Sequence, residues 1–135
     1  MTPQHERRAE LVRAYRATWP AMGVWSLRRV PTGERLVGAS MNLPAAYNRL
    51  RFALNLGSHR DPRLLADWRR DGESGFVWEI LDELTPPEDD SRPRALVEAE
   101  LREQLDTLQA MWLDELRPWG ERGYNNVPNA NGAPR

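Results

Sequence analysis

Gly23-Val24-Trp25-Ser26-Leu27-Arg28-Arg29-Val30-Pro31-Thr32-Gly33-Glu34-Arg35-Leu36-Val37-Gly38 is the stretch that decides the fold. Val24 to Arg28 mixes β-branched, aromatic and aliphatic residues and reads as a strand. Pro31-Thr32-Gly33 is turn chemistry, because proline presets φ and glycine tolerates positive φ. Arg35-Leu36-Val37-Gly38 then returns as a second strand, so the stretch reads as an antiparallel hairpin. A third strand follows at residues 75–82, where Phe76, Trp78 and Ile80 alternate with Val77 and Glu79. The expected sheet is three-stranded and antiparallel, over residues 23–29, 34–39 and 75–82.

Working outward, Thr2-Pro3 reads as an N-cap followed by proline at the first helical position. Leu11, Tyr15 and Trp19 recur every fourth residue behind it, which predicts an amphipathic helix over residues 3–18, ended by Pro20. After the hairpin, Asn42 caps a second helix with Pro44 in its first turn. Leu43, Tyr47, Leu50 and Leu54 share one face of that helix, and Gly57 closes it. Asp61-Pro62 starts a third helix carrying Leu64, Leu65 and Trp68, and Gly72 stops it. The loop Pro86 to Pro93 is polar. Val97, Leu101, Leu105, Leu108, Trp112 and Leu116 then sustain helical spacing for five turns up to Pro118. The order is α-β-β-α-α-β-α, an α+β fold with helices flanking the sheet. Residues 1–125 are expected to form a single domain that includes the N-terminal helix, and residues 126–135 a flexible tail.

Composition narrows the function classes. No apolar run approaches the roughly 18 residues needed to span a bilayer, so no membrane partner is expected. The N-terminus has no apolar signal core, which makes the cytoplasm the expected location. There are no cysteines, so thiolate metal sites and cysteine nucleophiles are excluded. Gly-rich phosphate loops, HExxH and clustered His–acid sets are absent as well. A triad built on Ser58 and His59 would place neighbours in one loop without the geometry of a base. All 19 cations are arginine. Codon bias explains that; so does selection for forked phosphate contacts. Residues 1–70 carry thirteen arginines against five acids, a net +8, while residues 71–135 carry six against fifteen, a net −9. Such asymmetry marks an anionic partner unless the halves neutralise each other on folding.

Gly23-Val24-Trp25, then Leu36-Val37-Gly38 eleven residues on, followed by Ala39-Ser40-Met41-Asn42-Leu43, resembles the two motifs of the GIY-YIG nuclease family. Gly57-Ser58-His59-Arg60-Asp61, Asp67-Trp68, Gly72-Glu73, the run Phe76 to Leu81 and Gly123-Tyr124-Asn125 extend the resemblance over residues 20–125. It is nearest to short, stand-alone bacterial members. The resemblance implies phosphodiester hydrolysis by two tyrosines, an arginine and a glutamate that binds one divalent cation. Those positions fall here on Trp25, Leu36, Ala46 and Gln109. An indole N–H donates but is no base, leucine and alanine offer nothing polar, and a neutral amide is a poor ligand for a hard cation. The resemblance therefore implies a degenerate site. Asp106, Tyr47 and Tyr15 are the groups that would have to rebuild it. No cofactor is expected; Mg²⁺ or Mn²⁺ enters only with such a rearranged site.

Arg49, His59 and Asn125 match polar positions of the family site. With Arg28, Arg29, Arg35, Arg51 and Arg60 they form the candidate phosphate-binding set for DNA or RNA, provided that they share a face. Each has a plain structural reading beside it. Arg49 solvates a helix flank, His59 holds its own loop, Asn125 turns the chain, and Trp25 and Leu36 are new core residues. An active endonuclease with a rearranged site, and a protein-interaction or self-association module using the acidic face of Glu98, Glu100, Glu103 and Asp106, are the alternatives.

Overall fold

The computed structural model describes residues 3–17, 19–88 and 91–127. Helix α1 (Pro3–Ala17) precedes strands β1 (Met22–Arg29) and β2 (Arg35–Ser40); helices α2 (Leu43–Leu56) and α3 (Pro62–Asp71), strand β3 (Phe76–Leu84) and helix α4 (Arg94–Leu116) follow. The strands make one antiparallel sheet in the order β2-β1-β3. The predicted α+β order holds throughout. β3 runs two residues beyond its expected end, because a bulge between Val24 and Trp25 resets its register so that Ile80 faces Trp25 while Asp82 faces Val24.

The side-chain period of two sends alternate residues of β1 to opposite faces. Leu27 joins Leu50 and Leu54 of α2, Leu64 and Trp68 of α3 and Phe76 of β3 in a core on one face. Val24 and Val37 meet Leu105 of α4 on the other. Burying leucines of this kind stabilises by roughly 1.5–3 kcal/mol each.

Local signals set the ends of α2 and α3. Asn42 accepts from the Ala45 N–H at 3.1 Å. Asp61 accepts from Arg63 and Leu64 at 2.9 and 3.1 Å. Gly57 closes α2 in the left-handed region at φ 83°, a conformation that costs other residues more.

The first helix departs from expectation. Leu11, assigned to its apolar face, is 65% exposed, and the buried Trp19 lies past the helix end. The side chain of Tyr15, the cap Thr2 and the tail from residue 128 lie outside the described residues. No described helix is long and apolar enough to cross a membrane.

Candidate nucleic-acid interface

The candidate residues do not gather in one place. An open groove of about 540 Å³ lies between β2, α2 and the loop that follows α2. Trp25, Leu36 and Ala46 line it together with Arg49, Ser58, His59 and Arg60. No carboxylate is among its lining residues. Arg49 and Arg60 are exposed, and neither makes an ion pair within the described residues.

His59 sits at the groove's end, where the chain crosses from α2 to α3. Its Nδ1 accepts from the Asp61 N–H at 3.1 Å, so Nε2 carries the proton. Partial burial pushes its pKa below the ordinary histidine value; Asp61 opposes that and Arg60 adds to it. The ring is therefore a neutral donor near pH 7. The expectation that it holds its own loop is met, and it lines the groove as well.

Trp25 and Leu36 are half-buried rather than core residues. Both pack against the buried cluster while lining the groove. The Trp25 indole lies over Gly38, its partner on β2: a Cβ there would come within 2.3 Å of the ring. On its other flank Trp25 stacks on Trp78, with centroids 4.9 Å apart, and Trp78 stacks on Tyr47 at 4.7 Å. Arg51 closes the row over Tyr47 at 5.2 Å and pairs with Glu73 at 3.2 Å. Trp78 stands directly opposite Leu27 and so diagonal to Trp25, a contact set by the pairing register of β1 and β3, which residue spacing does not give.

Arg28, Arg29 and Arg35 lie elsewhere, so the eight candidates do not share one face; Asn125 lines an adjoining cavity of about 490 Å³ with Leu36, His59, Arg60 and Asp61. Arg28 and Arg35 project from the sheet face that α4 covers and share Glu79, at 3.0 and 3.7 Å. Arg29 is enclosed by acids: its Nε donates to Asp71 at 2.5 Å, and Glu34 and Asp67 each stand 3.4 Å from its Nη1. The hydrogen bond to Asp71 raises its pKa and, reciprocally, lowers that of Asp71. Arg29 is thus a structural cation. Asn125 is structural too. Its Nδ2 donates to the Val37 carbonyl and its Oδ1 accepts from the Val37 N–H, both at 2.8 Å. It closes the outer edge of β2, where a strand would otherwise leave unpaired groups. Gly123 fits beside it because a Cβ would lie 2.3 Å from the carbonyl oxygens of Arg35 and Pro118.

The acids around Arg29 belong to a buried network absent from the sequence reading. Tyr124 donates to Asp67 at 2.7 Å. Burial first, and that hydrogen bond second, push its hydroxyl well above the ordinary tyrosine range. Arg63 donates to Glu34 and to the Gly123 carbonyl, with its guanidinium 4.7 Å over the Tyr124 ring.

Among solved structures, a mutant of the catalytic domain of intron endonuclease I-TevI superposes with a TM-score of 0.59 and 18% identity, over 78% of this chain and 92% of that domain. The chain has the GIY-YIG fold. A second structure, of the catalytic domain of homing endonuclease I-TevI, aligns with a TM-score of 0.47 and 17% identity, over 76% of this chain and 95% of that one. No protein-family model and no curated protein matches the chain.

The metal position that the GIY-YIG resemblance implies falls at Gln109, among few suitable donors. Gln109 lines a smaller pocket around the edge of β2, with Ser40 and Asp106. The Ser40 hydroxyl is engaged by Asn42, donating to its carbonyl and accepting from its N–H, both at 2.9 Å. That leaves one exposed carboxylate, Asp106, beside a neutral amide. Hard divalent cations prefer sites richer in carboxylate oxygens, so this donor set does not fit one. Among the described residues no three His, Cys, Asp or Glu side chains gather into a metal-holding group.

Proposed function

We propose that this GIY-YIG domain binds nucleic acid through the groove beside Trp25 and does not cut it. The single observation that carries this reading is the lining of the groove. Two exposed arginines, a neutral histidine donor and an indole surround it with no acid among them. Such a set neutralises and hydrogen-bonds phosphate oxygens. It contains no group suited to activate water near neutral pH. The indole at Trp25 cannot accept a proton, Leu36 and Ala46 have no polar side-chain atom, and Nδ1 of His59 is engaged by the backbone. Binding without hydrolysis follows, and the cytoplasm is the compartment in which we place it.

Incubation with supercoiled plasmid in Mg²⁺ or Mn²⁺, alongside a gel-shift titration, tests both halves. The expected result is a shift at low salt and no nicking above a protein-free control. Nicking that co-purifies with the protein overturns the second half, and absence of any shift overturns the first.

The alternative of a protein-contact surface has one observation in its favour. Phe52 and Leu56, one helical turn apart on α2, are each 67% exposed. The acidic face of α4 favours it less, since Glu98 and Glu100 already pair with Arg102 and Arg92.

A further inference from the structure

We infer that the groove accepts one unpaired nucleotide, with its base on an apolar floor and its phosphate at Arg49, His59 and Arg60. This rests on the nucleic-acid reading above and narrows it from a charged surface to a shaped pocket.

The groove has two chemically different parts. Leu36, Ala46, Leu50 and Ala53 supply an apolar floor, while Arg49, His59 and Arg60 supply donors. At about 540 Å³ it lies within the range of small-ligand sites, which combine apolar walls with a few placed polar groups. A surface that only tracked duplex phosphates would need the donors and gain nothing from the floor, because a duplex keeps its bases stacked inside. An unpaired nucleotide presents both a flat apolar base and an anionic phosphate, and it matches both parts at once.

The wall is held in place. Trp25 covers Gly38 and stacks on Trp78, so its ring has little freedom to collapse into the space. The ring edge that carries Nε1 lies over Gly38, so the indole serves the groove as an apolar wall. The small residue at Ala46 keeps the floor open. A larger side chain there would occupy it from the half-buried flank of α2, without removing any donor.

Fluorescence anisotropy at low salt tests this with four labelled probes of equal length: oligothymidylate, oligouridylate, an abasic deoxyribose-phosphate strand, and a duplex. At least one of the two base-bearing strands is expected to bind about tenfold tighter than the abasic strand, because a base on the floor takes apolar surface out of water. The duplex should bind no better than the abasic strand. Ala46→Leu, a helix-compatible change, should lower affinity for the base-bearing strand and so narrow its advantage over the abasic strand. Equal affinity for base-bearing and abasic strands, or tighter binding of the duplex, overturns the pocket while leaving phosphate binding intact. If none of the four probes binds, the nucleic-acid reading itself falls. The probe comparison is made on the unmodified chain, so it decides the question even if the variant folds poorly.

Discussion

Two arginine clusters from the same basic half of the chain end in opposite conditions. Around Arg29, every charge has a partner: Asp71, Glu34 and Asp67 surround its guanidinium, Tyr124 and Arg63 complete the shell, and its side chain is only 12% exposed. Around Trp25, Arg49 and Arg60 stand in an open groove without an acid. Charge counting cannot tell the two apart. What separates them is whether the fold delivers carboxylates to the spot. α3 brings Asp67 and Asp71 to Arg29, whereas the loop between α2 and α3 brings only Asp61 near the groove, and that carboxylate caps its own helix. The lesson is that the +8 of the first half overstates the surface open to an anion. Arg28, Arg35 and Arg51 pair with Glu79 and Glu73 of the acidic half.

The contrast breaks most readily at Arg29. Arg29→Ala leaves three nearly buried acids, Glu34, Asp67 and Asp71, without the cation between them, a condition that strongly destabilises folded proteins. Among single arginine-to-alanine variants it should show the largest fall in thermal midpoint, read by circular dichroism. A midpoint equal to the parent's would mean that the cluster is not structural.

Tyr124→Phe sharpens the same side. Losing the buried hydrogen bond to Asp67 should cost about 1–3 kcal/mol in urea unfolding at pH 7. The pH dependence has a definite sign. The folded hydroxyl titrates above the unfolded value of about 10, so its contribution is full below that pH and is lost as pH rises through the folded value. Phenylalanine should remove that alkaline slope. Asp71, held below the ordinary carboxylate range by Arg29, acts in the opposite direction: its contribution is full above pH ~4 and fades as pH falls. The acid limb should therefore persist in Tyr124→Phe.

Asn125→Ala has a smaller expected effect, about 1–2 kcal/mol, from two hydrogen bonds on the edge of β2. Unfolding curves measure that. Affinity for nucleic acid in the folded variant should be unchanged, which distinguishes the structural role from the phosphate contact that its place in the family motif suggests.

How much of this could be read from the sequence follows the range of each interaction. Both strands of the hairpin, the caps Asn42 and Asp61, and the glycine stop at Gly57 are local, and local residue chemistry marks them. The pairs Asn125–Val37 and Tyr124–Asp67 join residues 88 and 57 positions apart, and no spacing rule predicts them. The placement of Trp78 against Trp25 depends on the register in which β3 pairs with β1. The groove was therefore legible as a set of residue types: Trp25, Leu36, Ala46, Arg49, His59 and Arg60 line it together, whereas Gln109 lines a different pocket. It was not legible as a surface, since Arg28, Arg29, Arg35 and Asn125 are turned to other tasks.

The most direct test of the central claim is the salt dependence of binding, compared between the two regions. Log K against log salt is measured for the parent, for Arg49→Ala/Arg60→Ala, and for Arg28→Ala, all on one single-stranded probe. Arg49 and Arg60 are exposed, so their loss should leave stability within about 0.5 kcal/mol. Each phosphate contact on a single strand contributes about −0.7 to the slope. The double variant should flatten the slope by roughly 0.7, the loss of one neutralised phosphate, while Arg28→Ala leaves it unchanged. An unchanged slope in the double variant, or a flattened one in Arg28→Ala, would contradict the account and move the binding surface to the other face of the sheet.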